Sequence, residues 1–249
     1  MEISAKLDRI HLQVKSNKWM NYFAIFLRII LAYGFIASGV VKIMGERFAA
    51  GLSVNHPMGQ YLEALHHTGF YYTFIGVVQV IAALLLLIPR TVTLGALMYF
   101  PIILNIFMLS YAVRFEGSSL TSPLMVLACL FLILWNYDKI KYILPFDHSN
   151  APHIIAVPKN LDKTFPIKFF LGTVAAFAAV VLFAIFGWQI APRNNVRDCN
   201  SQFTGTNRTS AGAKFCDCIH NQGLPLNKSM ELYDKAPNDP VTLQKQSGN

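Results

Sequence analysis

Five long apolar runs, Met20–Val41, Phe70–Ile88, Val92–Tyr111, Pro123–Tyr137 and Phe165–Ala191, restrict this chain to folds that a lipid bilayer can accept. A helix crossing the hydrocarbon needs about 20 predominantly apolar residues, and only Pro123–Tyr137 falls short of that. The uncharged Ser118–Ser122 ahead of it extends the span. Apolar residues make up 54% of the chain and charged ones 14%, with a mean hydropathy of +0.41, outside the range of an ordinary soluble domain. Backbone polar groups in hydrocarbon must be paired within the protein, which leaves helices or closed barrels. Runs this long and evenly apolar are not barrel strands.

The expected fold is therefore all-α and integral to the membrane: a four-helix transmembrane bundle, a fifth transmembrane helix and a small helical extracytoplasmic tail. Residues 1–19 read as a cytoplasmic interfacial helix, because Ile3, Leu7, Ile10 and Val14 recur at helical spacing with Lys6, Arg9 and Lys15 on other faces. Residues 20–146 form the bundle, in which Pro89-Arg90-Thr91 and about 112–122 are connections short enough to force antiparallel neighbours. Pro145, Pro152 and Pro158 mark a cytoplasmic linker, bounded at 147–164. The fifth helix occupies 165–191 and the tail 192–249. The first apolar run continues to Val41 and reads as an anchor, not a cleavable signal.

Orientation follows from the basic residues, which the cytoplasmic side retains. With the N-terminus inside, the inner segments hold Lys6, Arg9, Lys15, Lys18, Arg90, Lys139, Lys141, Lys159, Lys163 and Lys168, against Lys42, Arg47 and Arg114 outside. Arg193 and Arg197 pull the other way without reversing the asymmetry. Five crossings then put the tail in the periplasm of a bacterial inner membrane. The net charge of +8 sits largely at the inner lipid surface and does not indicate nucleic-acid binding.

The tail carries Cys199, Cys216 and Cys218, and disulfides persist in an oxidising compartment. Cys199 is expected to pair with Cys216 or Cys218. In a helical Cys216-Asp217-Cys218 the thiols point about 200° apart, so one is left over. A structural staple and a redox-active C-x-C pair are both open readings, whereas zinc lacks its spaced-pair signature. The spacing predicts one helix over Asn207–His220, and a second capped by Asn227 and running to Asp234.

Polar residues inside the apolar runs are the candidates for function, since burying them is costly. Arg28 lies about 12 Å from the start of its run, where it either snorkels to the inner surface, pairs inside the bundle, or meets a ligand or headgroup. Arg28, Phe35 and Lys42 follow one stripe at seven-residue spacing, and Gly34 and Ser38 form a small-residue pair on an adjacent face. Gln79 and Asn105 fall near mid-bilayer, where an amide is expected to bond across to another helix. In the first outer loop His56, Glu63, His66 and His67 form a polar group, with Glu63 and His67 four residues apart. Either an exposed amphipathic loop helix or a metal or quinone-headgroup site fits them. Arg114 and Glu116 are expected to form an ion pair that caps the outer face. Walker, G-x-S-x-G and H-E-x-x-H motifs are absent, as is an intramembrane C-x-x-C, so no catalytic residue is assigned and no metal site is expected.

The run Leu27-Arg28-Ile29-Ile30, then Ser38-Gly39-Val40-Val41-Lys42, Gly76-Val77-Val78-Gln79, and Leu84–Gly95 with its Pro89-Arg90 turn resembles the DoxX-like membrane proteins over about Tyr22–Phe146. That resemblance implies a four-helix bundle whose first-helix Arg and Lys fall on Arg28 and Lys42, in a family associated with membrane redox complexes and quinone-linked sulfur oxidation. The fifth helix and the cysteine-bearing tail depart from the family pattern. So does Gln79, where the family often has an acidic residue. The function expected is a non-catalytic accessory or assembly subunit with membrane or periplasmic protein partners, offering a quinone or lipid site at Arg28, Lys42, Gln79 and Asn105. A quinone-linked oxidoreductase using the tail cysteines is the alternative.

Overall fold

The structure, a computed structural model, describes residues 2–140 and 162–240. Most of the 147–164 linker and the last nine residues of the tail therefore lie outside the described residues. Helix α1 (Glu2–Lys15) breaks before α2 (Lys18–Ile43) because the Asn17 side chain accepts from the backbone N–H groups of Trp19 and Met20, at 3.0 and 3.2 Å, and so starts a new helix. A short helix, α3 (Pro57–His66), follows the first span. Then come α4 (Phe70–Leu87), α5 (Val92–Ala112), the short α6 (Glu116–Ser119), α7 (Thr121–Trp135) and the one-turn α8 (Tyr137–Ile140). Among the described residues, five helical segments are long and apolar enough to cross a membrane: α2, α4, α5, α6 with α7 (Glu116–Trp135), and α9 (Ile167–Phe186).

Helices α2, α4, α5 and α7 enclose one core of Leu31, Phe35, Ala82, Leu86, Tyr99 and Leu132, among others. The buried Tyr99 hydroxyl donates to the Leu31 carbonyl at 3.1 Å, which joins α5 to α2. Helices α2 and α4 approach closely. A Cβ placed on Gly76 would stand 2.7 Å from the Gly39 carbonyl oxygen, and one on Gly39 would stand 2.8 Å from that of Gly76. This glycine pair, and not Gly34 with Ser38, makes the tight crossing; Gly34 meets side-chain ends alone, Met125 at 2.9 Å and the Tyr99 hydroxyl at 3.9 Å.

Helix α9 is unlike the other four spans, for none of its residues is buried. Aromatic contacts tie it to the bundle at its two ends. Phe169 packs on Phe23 and Phe131 near one end, and Phe183 stacks on Tyr111 near the other, with Trp188 edge-on to the same ring. Its approach is fixed beside the start of α2, where Lys18 N–H donates to the Asp162 carbonyl and the Asn17 amide to that of Thr164.

The tail folds as α10 (Val196–Ser201), α11 (Thr209–His220) and α12 (Leu226–Lys235) around Phe203, Phe215, Ile219 and Tyr233. Cys199 is bonded to Cys216, and both are enclosed; Cys218 is free and half-buried. Two expectations need correction. Asn227 lies inside α12, which Pro225 precedes as the capping residue, and an additional helix, α10, is capped by Asn195 accepting from Asp198 N–H at 2.9 Å.

Candidate functional site

Arg28 neither snorkels alone nor meets an acid. Its Nε donates to the Leu86 carbonyl at 2.7 Å and its Nη2 to that of Leu87 at 2.6 Å. These are the last carbonyls of α4, which no further helical turn can satisfy because Pro89 follows. The guanidinium thus caps the negative end of a neighbouring helix, where a cation is favoured and a planar fork can serve two acceptors. Arg28→Leu is expected to lower stability in detergent by about 2 kcal/mol, the loss of a charged donor to two carbonyls that no other donor serves among the described residues. Arg28→Lys should recover less than half of that, as read by thermal unfolding.

Arg28 and Lys42 are separated by fourteen residues, about 21 Å along α2, so they mark opposite ends of the bundle. Lys42 is buried; its Nζ donates to the Ser38 carbonyl at 3.0 Å and stands 4.5 Å from the Phe48 ring and 5.9 Å from that of Tyr72. Phe48 is held there by its N–H, which donates to the Tyr72 hydroxyl at 2.8 Å. The ammonium is therefore caged by aromatic faces, with no carboxylate beside it among the described residues. Gln79 is buried beside the glycine crossing, and its Oε1 has no hydrogen-bond partner, contrary to the expected bond to another helix. Asn105 is exposed on the outer surface of α5. Arg28, Lys42, Gln79 and Asn105 consequently do not line one site.

At the α3 end of the bundle, Glu63 lies between two basic side chains, with Arg47 Nε at 3.3 Å and His67 Nε2 at 3.0 Å. His66 turns away and packs edge-on against Tyr72. His56 is buried and caps α3, its Nδ1 accepting from Met58 N–H at 3.0 Å. Glu63 and His67 thus stay paired while His56 and His66 take separate positions, and no group of three His, Cys, Asp or Glu suited to a metal ion exists among the described residues.

The tail closes over this same end. Asn55 donates to the His220 carbonyl at 2.6 Å, Gln60 to the Gly223 carbonyl at 2.7 Å, and Arg114 to the Ile190 carbonyl at 2.7 Å. Glu116 pairs with Arg193 of the tail, not with Arg114 as expected. His220 bonds the Pro192 carbonyl through Nε2 at 2.7 Å, and its ring lies 6.0 Å from that of His56.

This docking has a pH dependence. Burial, reinforced by His220, pushes the His56 imidazole down to about 4, against a backbone hydrogen bond with Arg193 that raises it. Once His56 is exposed its pKa is near 6.5, so the undocked chain binds the proton first. Stability is complete above about 6.5 and falls as pH drops toward 4, by about 2 kcal/mol at pH 5. Protease protection of the tail should weaken from pH 7 to 5, and His56→Asn, which can still cap α3, should flatten that dependence.

Arg47, Phe48, Tyr72, Asn55, Gln60 and Arg193 contribute to these contacts without having stood out in the sequence. The exception is Arg47, the lone arginine of the connection between α2 and α4 that also carries Glu63, which was a usable signal.

A bundle of this kind, with apolar side chains facing outward along every span, defines a multi-pass membrane protein in contact with lipid. YwoB, an uncharacterized protein of Bacillus subtilis (strain 168), is 34% identical over 128 residues, covering 47% of this chain and 77% of that protein. The chain belongs to the same family as YwoB. No protein-family model matches the chain, and no solved structure matches it.

Proposed function

We propose that this chain is a non-catalytic accessory or assembly subunit of a membrane redox system, placed in a bacterial inner membrane with its N-terminus cytoplasmic and its tail periplasmic. Asn105 is the observation that carries the subunit reading. Its amide lies exposed about 10 Å from the nearer end of α5, on a face shared with Leu94, Leu97, Leu104 and Met108. A free amide at that depth faces hydrocarbon, where leaving it unpaired is costly and pairing it with another helix is favourable. Helix α9, with no buried residue, leaves a second long apolar surface open to a neighbour.

The redox association rests on the DoxX-like motifs, and the orientation on the distribution of Lys and Arg. An oxidoreductase using the tail cysteines would need an accessible pair, but Cys199 and Cys216 are both 0% exposed in the tail core. Native-gel separation of the 27.9 kDa chain from its own membranes in mild detergent, with mass spectrometry of the band, tests the role. A stoichiometric second membrane protein is expected; a monomer, or copies of this chain alone, would overturn the reading.

A further inference from the structure

At the α1 end of the bundle lies a space that none of the contacts above uses. Helix α1 lies over the end of α7, α8 and the start of α9, and between them is an open-sided cavity of about 270 Å³ walled by Leu7, Ile10, Val14, Phe131, Trp135 and Phe169. That volume is at the small end for ligand sites and suits one apolar chain better than a whole drug-sized molecule.

One wall is polar. His11 is 8% exposed and lines the cavity. Its Nε2 is 3.3 Å from Asp138 Oδ1 but outside hydrogen-bond geometry, and it has no hydrogen-bond partner. The same Asp138 oxygen is taken by Lys15 Nζ at 2.8 Å. Burial and then the charge of Lys15 hold the His11 imidazole below its ordinary range, against Asp138 and Asp8, which raise it. Burial raises the Asp138 carboxyl, yet the hydrogen bond and charge of Lys15, with His11, outweigh it and keep it ionised. The imidazole is thus a buried polar group at the edge of an apolar space.

The setting indicates what fills that space. Trp19 and Tyr22 are exposed on the first turns of α2, whose Met20 lines the space, and Trp135 and Tyr137 contribute to its wall, as in the aromatic belts found at headgroup depth. Lys6, Arg9 and Lys18 are exposed on the same end, where they favour anionic lipid. We propose that this cavity is a specific phospholipid site, which holds an acyl chain of an anionic lipid and meets its headgroup oxygens with His11 and Lys15. The assignment rests on the membrane placement and is independent of the accessory role.

The test uses the full chain in phosphatidylcholine nanodiscs containing a trace of phosphatidylglycerol with a diazirine in its acyl chain. After irradiation, label on Phe131–Trp135 and Phe169 should exceed label on the exposed α9 residues Leu171 and Ile185 at least fivefold. Val14→Trp, which fills the cavity, should bring it down to the α9 level without loss of thermal stability. If that variant does not fold, Leu7→Trp at the rim serves the same purpose. Lys15→Gln with His11→Leu should reduce the preference for phosphatidylglycerol over an equally labelled phosphatidylcholine to about 1. Equal labelling of cavity and α9, labelling indifferent to the filling variants, or equal labelling by the two lipids in the unaltered chain would each overturn the proposal.

Discussion

Gly76→Leu is expected to cost about 3 kcal/mol or more and to leave little folded protein after detergent extraction. The new Cβ would lie 2.7 Å from the Gly39 carbonyl oxygen and 2.8 Å from Lys42 Cβ. Backbone cannot swing aside as a side-chain end can, so α2 and α4 must separate, and overpacking of this kind is strongly destabilising. Separation also pulls Arg28 from the α4 carbonyls, because both contacts lie along one helix pair. Gly34→Ala supplies the contrast. Its Cβ would meet the mobile end of Met125 at 2.9 Å, and a shift well below 1 kcal/mol is expected. Thermal unfolding of both variants in the same detergent decides the matter, and similar losses for the two would contradict the glycine crossing.

Cys199→Ser is expected to destabilise the tail by about 3 kcal/mol, since the disulfide to Cys216 closes a loop with a sequence separation of 17. The tail core has few members, chiefly Phe203, Phe215, Ile219 and Tyr233, and so small an apolar core is marginal without a staple. Its undocking would release His220, Gly223 and Arg193 from Asn55, Gln60 and Glu116 together. Limited proteolysis should then cut the tail in the variant under conditions that spare the parent chain. Cys218→Ser should behave as the parent does, because that thiol is outside the bond.

The spans were legible because hydropathy over about twenty residues is an intrinsic property of each run, independent of its neighbours. Contacts between distant segments were not. Arg28 was visible as a costly charge, but its partners are carbonyls of Leu86 and Leu87, and a backbone acceptor has no residue identity to read. Glu116 was assigned to Arg114 by proximity in sequence, whereas Arg193 reaches it from the tail. Gln79 and Asn105 look alike as mid-span amides, yet one is buried and the other exposed. The rotation of each helix about its axis separates them, and evenly apolar runs hide that rotation. His11 passed unnoticed because its site needs α7, α8 and α9 brought up to α1.

A photoreactive benzoylphenylalanine at Met108, one turn from Asn105 on the exposed face of α5, tests the subunit role most directly. In native membranes the account predicts a discrete adduct with a second protein, stronger than that from the same probe at Tyr33, which is 76% exposed on α2. Asn105→Leu in the same chain should reduce that adduct severalfold. Labelling at Met108 no greater than at Tyr33, or unchanged by Asn105→Leu, would contradict it.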